Sequence, residues 1–378
     1  MNRSASMLSV LGLALSLGTV LMTLACGGTD VVSKGVQPVF SGSYDGSTNS
    51  VACYWEGTLR TDLAGGSGSV SSHAYSPSAY VQGYIYTPGT WTGSVDDGSK
   101  TYACYWTGST RTDLTATGAT GNTYATSLTL SGSDIYVGGF YTNSDAPTTY
   151  IPCYWKNSVF HALGTGTDSA RVTGIGVSGS LVFCSGYYVS GTDTVACYWD
   201  SAASRHDLPD AASAATYGMT YGIVVTNEQP WIVGHYVSSG KNVPCIWYGT
   251  TAKAHVLNLP TGYSDADAYA VTIKGSDAEY LYCAGYLKES STNVPCYWRL
   301  DISDEDDPKI YDVVRLTDPD GYGAKACALF ASGDDLWIGG DSTNSSSQSV
   351  PCYWSGDSVH KPEAGGTPAR IACGPDVP

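Results

Sequence analysis

The sequence predicts an all-β fold: a seven-bladed β-propeller of four-stranded antiparallel blades, its ring closed by the C-terminal strand and preceded by a signal peptide. Three observations carry this expectation. A rare tripeptide recurs seven times, an aromatic or apolar run ending in Gly precedes each copy, and the composition suits strands and turns. Of 378 residues, 45 are Gly and 29 are Tyr against only 5 Phe, and charged residues are 14%, well below the roughly 25% of an average soluble domain. Amphipathic helices need charged and apolar stripes that this chain cannot supply. Tyr, Val, Thr and Gly instead favour short pleated segments joined by tight turns.

The first element is the N-terminal segment. Residues 1–6 are polar with one positive charge at Arg3, and Leu8 to Ala25 form an apolar run. This pattern reads as an export signal over residues 1–25. The run closes Met22-Thr23-Leu24-Ala25-Cys26-Gly27-Gly28, which resembles the lipobox of bacterial lipoproteins, although Thr23 stands where Leu is usual. The resemblance implies diacylation of Cys26, a short tether over residues 26–30, and attachment to the outer membrane of a bacterial cell envelope. Two acyl chains anchor far more firmly than one.

The repeat follows. Cys-Tyr-Trp, once altered to Cys-Ile-Trp, occurs at Cys53, Cys104, Cys153, Cys197, Cys245, Cys296 and Cys352, with intervals of 51, 49, 44, 48, 51 and 56 residues. Upstream lie runs such as Val39-Phe40-Ser41-Gly42, Ile135-Tyr136-Val137-Gly138-Gly139, Phe183-Cys184-Ser185-Gly186 and Trp337-Ile338-Gly339-Gly340. In the second copy the matching run is Tyr80-Val81-Gln82-Gly83, which requires an insertion over residues 88–100. Downstream, Leu63, Leu114 and Leu163 each close a short outer strand. Four strands in about 50 residues are the unit of a propeller blade, which buries both faces only against its neighbours. The repeated Trp and the aromatic before each Gly are expected between blades, with the Gly leaving room for a neighbouring ring.

The last element closes the ring. The first copy lacks an inner strand, and Thr367-Pro368-Ala369-Arg370-Ile371-Ala372-Cys373 looks like the start of an eighth unit. This segment is expected to complete the first blade, giving one propeller over residues 31–378.

These units resemble the HAF-type extracellular repeats in Val137-Gly138-Gly139, Cys153-Tyr154-Trp155-Lys156-Asn157, Leu163-Gly164-Thr165 and Ala170 to Gly179. Cys-Tyr replaces the usual Ala-Phe. A weaker likeness, in the Gly-Gly doublets, is to kelch repeats. The resemblance implies an exported propeller and carries no catalytic residue.

No motif points to a reaction, cofactor or metal. His161, His206 and His255 fall on outer strands of three different blades, too far apart for one metal. Asp301, Asp304, Glu305, Asp306 and Asp307 read as a solvated acidic loop, as do Asp265 and Asp267. The seven triplet cysteines occupy equivalent positions on separate blades and act as small buried hydrophobes. Cys184 with Cys197, and Cys283 with Cys296, share strand pairs and are candidate disulfides in an exported chain; Cys327 and Cys373 lie on the inner strands of the last and first blades.

The formal charge is −16, which repels phosphate backbones and excludes nucleic acid as a partner. It also favours a soluble monomer. Ligands of propellers meet the loops entering the inner strands. Here those positions carry His73, Tyr124, Arg171, Tyr217, Tyr269, Lys325 and Arg370, an aromatic and basic mouth suited to a carbohydrate or an anionic group. The expected function is a lipid-anchored, non-enzymatic binding module contacting a protein or glycan. The alternatives are an envelope-assembly scaffold and a carbohydrate-acting enzyme using the same mouth.

Overall fold

The computed structural model describes residues 37–378 except 47–48, 64, 66–69, 76–78, 82, 94–98, 210–216, 250–252, 275–278, 305–306, 334, 364–367 and 373–378. The signal segment, Cys26 and Cys373 therefore lie outside the described residues. Val36–Pro378 forms one compact unit.

Among the described residues, thirty strands make seven antiparallel sheets. Blade 1 contains β1 (Val39–Asp45), β2 (Ser50–Glu56) and β3 (Leu59–Asp62). Blade 2 contains β4 (Ser71–Ala74), β5 (Ala79–Val81), β6 (Tyr84–Thr92), β7 (Thr101–Thr107) and β8 (Thr110–Asp113). Blade 3 runs β9 (Thr123–Ser131), β10 (Asp134–Asn143), β11 (Ala146–Lys156), β12 (Val159–Ala162). Blade 4 runs β13 (Ala170–Ser178), β14 (Leu181–Ser190), β15 (Asp193–Trp199), β16 (Arg205–Asp207). Blade 5 runs β17 (Gly218–Thr226), β18 (Gln229–Ser238), β19 (Lys241–Tyr248), β20 (Lys253–Val256). Blade 6 holds β21 (Ala266–Lys274), β22 (Tyr280–Glu289), β23 (Thr292–Asp301), β24 (Lys309–Ile310) and β25 (Val314–Arg315). Blade 7 holds β26 (Ala324–Ser332), β27 (Asp335–Thr343), β28 (Ser349–Ser355) and β29 (Ser358–His360). The chain then returns as β30 (Ala369–Ile371), which pairs with β1 through Gly42↔Ile371. The C-terminal strand thus completes the first blade, and the seven-bladed propeller read from the repeats is the fold observed.

The triplet shows why each blade holds. Its Cys stands opposite a second-strand Gly in all seven sheets: Gly42↔Cys53, Gly89↔Cys104, Gly139↔Cys153, Gly186↔Cys197, Gly234↔Cys245, Gly285↔Cys296 and Gly340↔Cys352. The inner strand bulges at this level, skipping Thr126, Thr173, Tyr221, Tyr269 and Cys327 in blades 3 to 7. In every blade an inner-strand carbonyl oxygen crowds the Gly at this level. A Cβ at Gly139, Gly186, Gly234, Gly285 or Gly340 would sit 1.9–2.0 Å from that oxygen. Room for a neighbouring ring is the lesser reason, since the triplet Trp approaches a Cβ at Gly89, Gly139 and Gly186 at 2.6–2.9 Å.

The second copy corrects the sequence register. Its Gly is Gly89 rather than Gly83, and β5 with Val81 is the lower part of the interrupted inner strand, paired to Tyr84–Tyr86. Gly83 occupies the turn between them with φ +84°.

Blades lock to one another through the triplet Trp. The Nε1–H of Trp155, Trp247, Trp298 and Trp354 donates to Thr115, Pro209, Asn258 and Thr317 O of the preceding blade at 2.6–2.8 Å. Each acceptor directly follows the Leu that ends the preceding outer strand, and that Leu bonds back to the third strand, as Leu257 N does to Pro244 O at 2.9 Å. Trp55 makes the same kind of bond to Glu363 O across the ring closure. A buried indole with its one donor satisfied combines large apolar burial with direction.

The cysteines are settled by register. Cys184 faces Trp199 and Cys197 faces Gly186, and the same two-residue offset separates Cys283 from Cys296. Diagonal positions on one face lie about 7–8 Å apart, beyond the span of a disulfide. All four are free buried thiols, as are the other triplet cysteines, so the expected bridges are not formed. Burial pushes the Cys184 and Cys283 thiols above the ordinary range. Cys327 by contrast is disulfide-bonded. The other nine described cysteines are free.

Candidate functional site

Antiparallel order puts the start of every inner strand at the same end of the ring as the hairpin joining second and third strands. That end is the mouth. Its innermost level is the inner-strand residue opposite the one following the blade Gly: Arg370↔Ser43, His73↔Thr90, Tyr124↔Phe140, Arg171↔Tyr187, Met219↔His235, Asp267↔Tyr286 and Lys325↔Asp341. Five of the seven residues selected from sequence share this level. Tyr217 and Tyr269 do not; Met219 and Asp267 take their places. Tyr217 precedes β17, exposed, with its hydroxyl turned to Asp193 of blade 4. Tyr269 is the bulged residue of blade 6.

Three of the selected residues meet in one cavity. Tyr269, Lys325 and Arg370 line a space of about 350 Å³ between blades 6, 7 and 1, together with Asn293, Tyr322 and Asp341. Ser291, Thr343 and Ser349, from the mouth hairpins of blades 6 and 7, complete its polar wall. These residues were missed because they lie in or beside hairpin turns without a motif; the strand directions implied by the repeat place those turns beside the mouth. Tyr322 is 59% exposed, an aromatic face open to solvent at a polar site.

A buried network supports this wall. Asp267, expected as part of an acidic loop, is instead inside β21 and 3% exposed. Its Oδ1 lies 2.6 Å from His235 Nδ1, both side chains being buried. Tyr286 donates its hydroxyl to Asp267 Oδ2 at 2.7 Å, and Asn242 Nδ2 donates to both oxygens at 3.2 Å. Burial alone would raise the Asp267 carboxyl, but His235, then Tyr286 and Asn242, outweigh it and hold it below its usual range. Burial and the Asp267 charge push the Tyr286 hydroxyl far up. The Tyr269 ring packs against Tyr221 at 4.6 Å and Tyr286 at 5.9 Å, and Lys325 Nζ stands 5.2 Å from the Tyr286 ring centre. Asp267 therefore holds the tyrosines behind the cavity and does not line the cavity itself.

On the opposite half of the mouth the described side chains pack on one another. Tyr124 stacks on Phe140 at 4.7 Å, and the Arg171 guanidinium covers Tyr150 at 3.9 Å. Below them, Thr126 donates to Val172 O at 2.8 Å, and the Thr173 and Thr220 hydroxyls meet at 2.9 Å. His73 is part-buried, 3.3 Å from Ser50 Oγ; burial first, then the Arg370 charge, lower its pKa. The channel beneath narrows to a space of about 50 Å³ lined by Tyr221, Tyr269, Cys327, Ile175 and Ile223.

Elsewhere, His161 and His206 sit on outer strands, stacked on Tyr154 and Tyr198 at 4.6 and 4.7 Å, and His255 lies opposite Ile246. Asp265 pairs with Lys288 at 3.4 Å. Asp301 accepts from Ser303 N and Oγ, and Glu305 and Asp306 lie outside the described residues. No group of three metal-ligating side chains occurs among the described residues. A groove of about 380 Å³ opens at the other end of blades 6 and 7, lined by Lys274, Tyr282, Tyr297, Arg315 and Trp354.

No family model matches the chain, and no curated protein matches it. Among solved structures it is similar to a mutant of the Aleuria aurantia lectin in complex with alpha-methyl-L-fucoside, with 12% identity, 81% of this chain and 95% of that one covered, and a TM-score of 0.45. It is also similar to a polysaccharide lyase of family PL25, an ulvan lyase, at 10% identity, 80% and 87% coverage and a TM-score of 0.43. A Mycobacterium tuberculosis puromycin-hydrolyzing peptidase aligns at 9% identity, 87% and 54% coverage and a TM-score of 0.46. At these scores the likenesses carry no functional argument.

Proposed function

We propose that the chain is an exported, lipid-anchored binding module of the bacterial cell envelope that captures a protein or glycan at the propeller mouth. The observation that carries this reading is the cavity between blades 6, 7 and 1, where two cations, two tyrosines and several hydroxyl and amide groups converge on a rigid frame. Binding sites are concave and preformed, with a few placed polar groups. The Cys327 disulfide supports export, because stable disulfides belong to oxidising compartments. The lipobox resemblance at Cys26 supports the anchor.

A glycan and protein array probed with the Gly27–Pro378 fragment tests the binding reading. The expected result is a defined set of ligands lost in a Lys325→Ala/Arg370→Ala double variant of unchanged stability. Ligands retained in full by that variant contradict it. Radiolabelled palmitate should enter the wild type and fail to enter Cys26→Ser; label in both, or in neither, contradicts the anchor.

A further inference from the structure

We infer that the mouth cavity recognises a saccharide carrying a single carboxylate, an inference that rests on the mouth being the ligand site. The charge of the cavity sets the first constraint. Among the side chains lining it, the cations Lys325 and Arg370 outnumber the single carboxylate, Asp341. A chain of formal charge −16 opposes polyanions and dianionic phosphates at long range, so a monoanion is the species that the local charge accommodates. A guanidinium presents a planar fork that matches the two oxygens of a carboxylate.

The remaining surfaces specify a sugar rather than a simple acid. Asn293, Ser291, Thr343 and Ser349 provide paired donors and acceptors spread around the wall, the complement of a polyhydroxylated ring. Asp341 accepts hydroxyl protons beside the cations. Tyr322 offers an exposed ring to the C–H face of a pyranose, and Tyr269 is pinned from behind by Tyr221 and Tyr286. At about 350 Å³ the cavity lies near the lower end of small-ligand sites, roughly 300–1,000 Å³, so it takes a terminal sugar and not a long chain segment.

Calorimetric titration of the full chain in detergent tests this with four probes: glucuronate- and sialate-terminated oligosaccharides, their methyl esters, their neutral analogues and sulfated analogues. The expected result is binding of at least one carboxylated probe, weakened at least about tenfold by esterification and about tenfold by Lys325→Ala or Tyr322→Ala/Asn293→Ala. Thermal midpoints of the variants should match the wild type, and Lys325→Arg should restore most of the affinity. Equal affinity for acid and ester, or binding of sulfated probes alone, overturns the carboxylate inference and leaves the mouth reading standing. The inference also falls if all four probes fail while an array ligand is still lost with Lys325→Ala/Arg370→Ala. Carboxylate-dependent binding untouched by every mouth variant overturns both.

Discussion

The wall of the ring and its mouth are built by the same strands but obey different rules. In the wall the blades repeat one solution: Gly opposite Cys in all seven, a bulged inner strand in blades 3 to 7, and a Trp bonded to the end of the preceding blade at Trp55, Trp155, Trp247, Trp298 and Trp354. At the mouth, one residue further along the same strands, no two neighbouring blades agree. Arg, His, Tyr, Arg, Met, Asp and Lys occupy a single register level in succession around the ring. Repetition marks what packing requires, because each position meets the same neighbours. Divergence at a level with identical backbone geometry marks what packing leaves free, and there chemistry can be placed.

The comparison breaks most visibly at a wall glycine. In Gly285→Ala the new Cβ would meet Asp267 O at 1.9 Å, and neither backbone can withdraw without opening the sheet. Loss of more than about 4 kcal/mol is expected, read as failure to fold or a collapsed denaturant midpoint. Gly108, in an outer turn with open space at its Cβ and φ +56°, serves as the control: Gly108→Asn should stay near wild type.

Next in size is the Trp lock. Trp298→Phe removes the bond to Asn258 O and leaves a cavity at the junction of blades 5 and 6; a cost of about 2–4 kcal/mol is expected in chemical denaturation. Deleting residues 367–378 removes β30 and should lower the thermal midpoint by more than about 5 °C. Cys327→Ser should give part of that loss, as reductant should in the wild type.

The buried carboxylate gives a smaller, pH-dependent effect. Because its folded pKa is depressed, Asp267 contributes stability above its unfolded pKa of about 3.9, and that contribution is lost as pH falls through the folded value. Asp267→Asn should therefore be less stable than the wild type at neutral pH. The gap between the two should narrow below about pH 4, measured by denaturant midpoints across pH.

The smallest effect belongs to the rim. Arg205 lies 2.9 Å from Asp168 and over the Tyr188 ring, but the pair is largely exposed, so Arg205→Ala should cost no more than about 1 kcal/mol.

The same contrast explains what was legible in the sequence. The wall was: seven triplets placed seven blades, and the partial eighth unit placed β30. It failed at Gly83, where an aromatic-apolar run ending in Gly belongs to the inner hairpin of blade 2, because local pattern cannot distinguish two adjacent strands of like composition. The bulge was not legible, since it arises from pairing between strands and leaves no residue signature; Thr126, Tyr221 and Cys327 share the position without sharing chemistry. The mouth was half legible. Counting back from each Gly finds Tyr124, Arg171 and Lys325, whereas Tyr217 and Tyr269 each stand two residues from Met219 and Asp267, a shift that variable loop length ahead of the inner strand leaves unmarked in sequence. Asp267 looked like loop because its partners, His235 and Tyr286, lie on another blade and another strand.

Hydrogen–deuterium exchange of the protein with and without its array-selected ligand tests the central claim most directly. The account predicts protection confined to the mouth of blades 6, 7 and 1, at residues 291–293, 322–325 and 341–349. Protection at residues 314–317 and 355–357, in the groove at the opposite end, would contradict it.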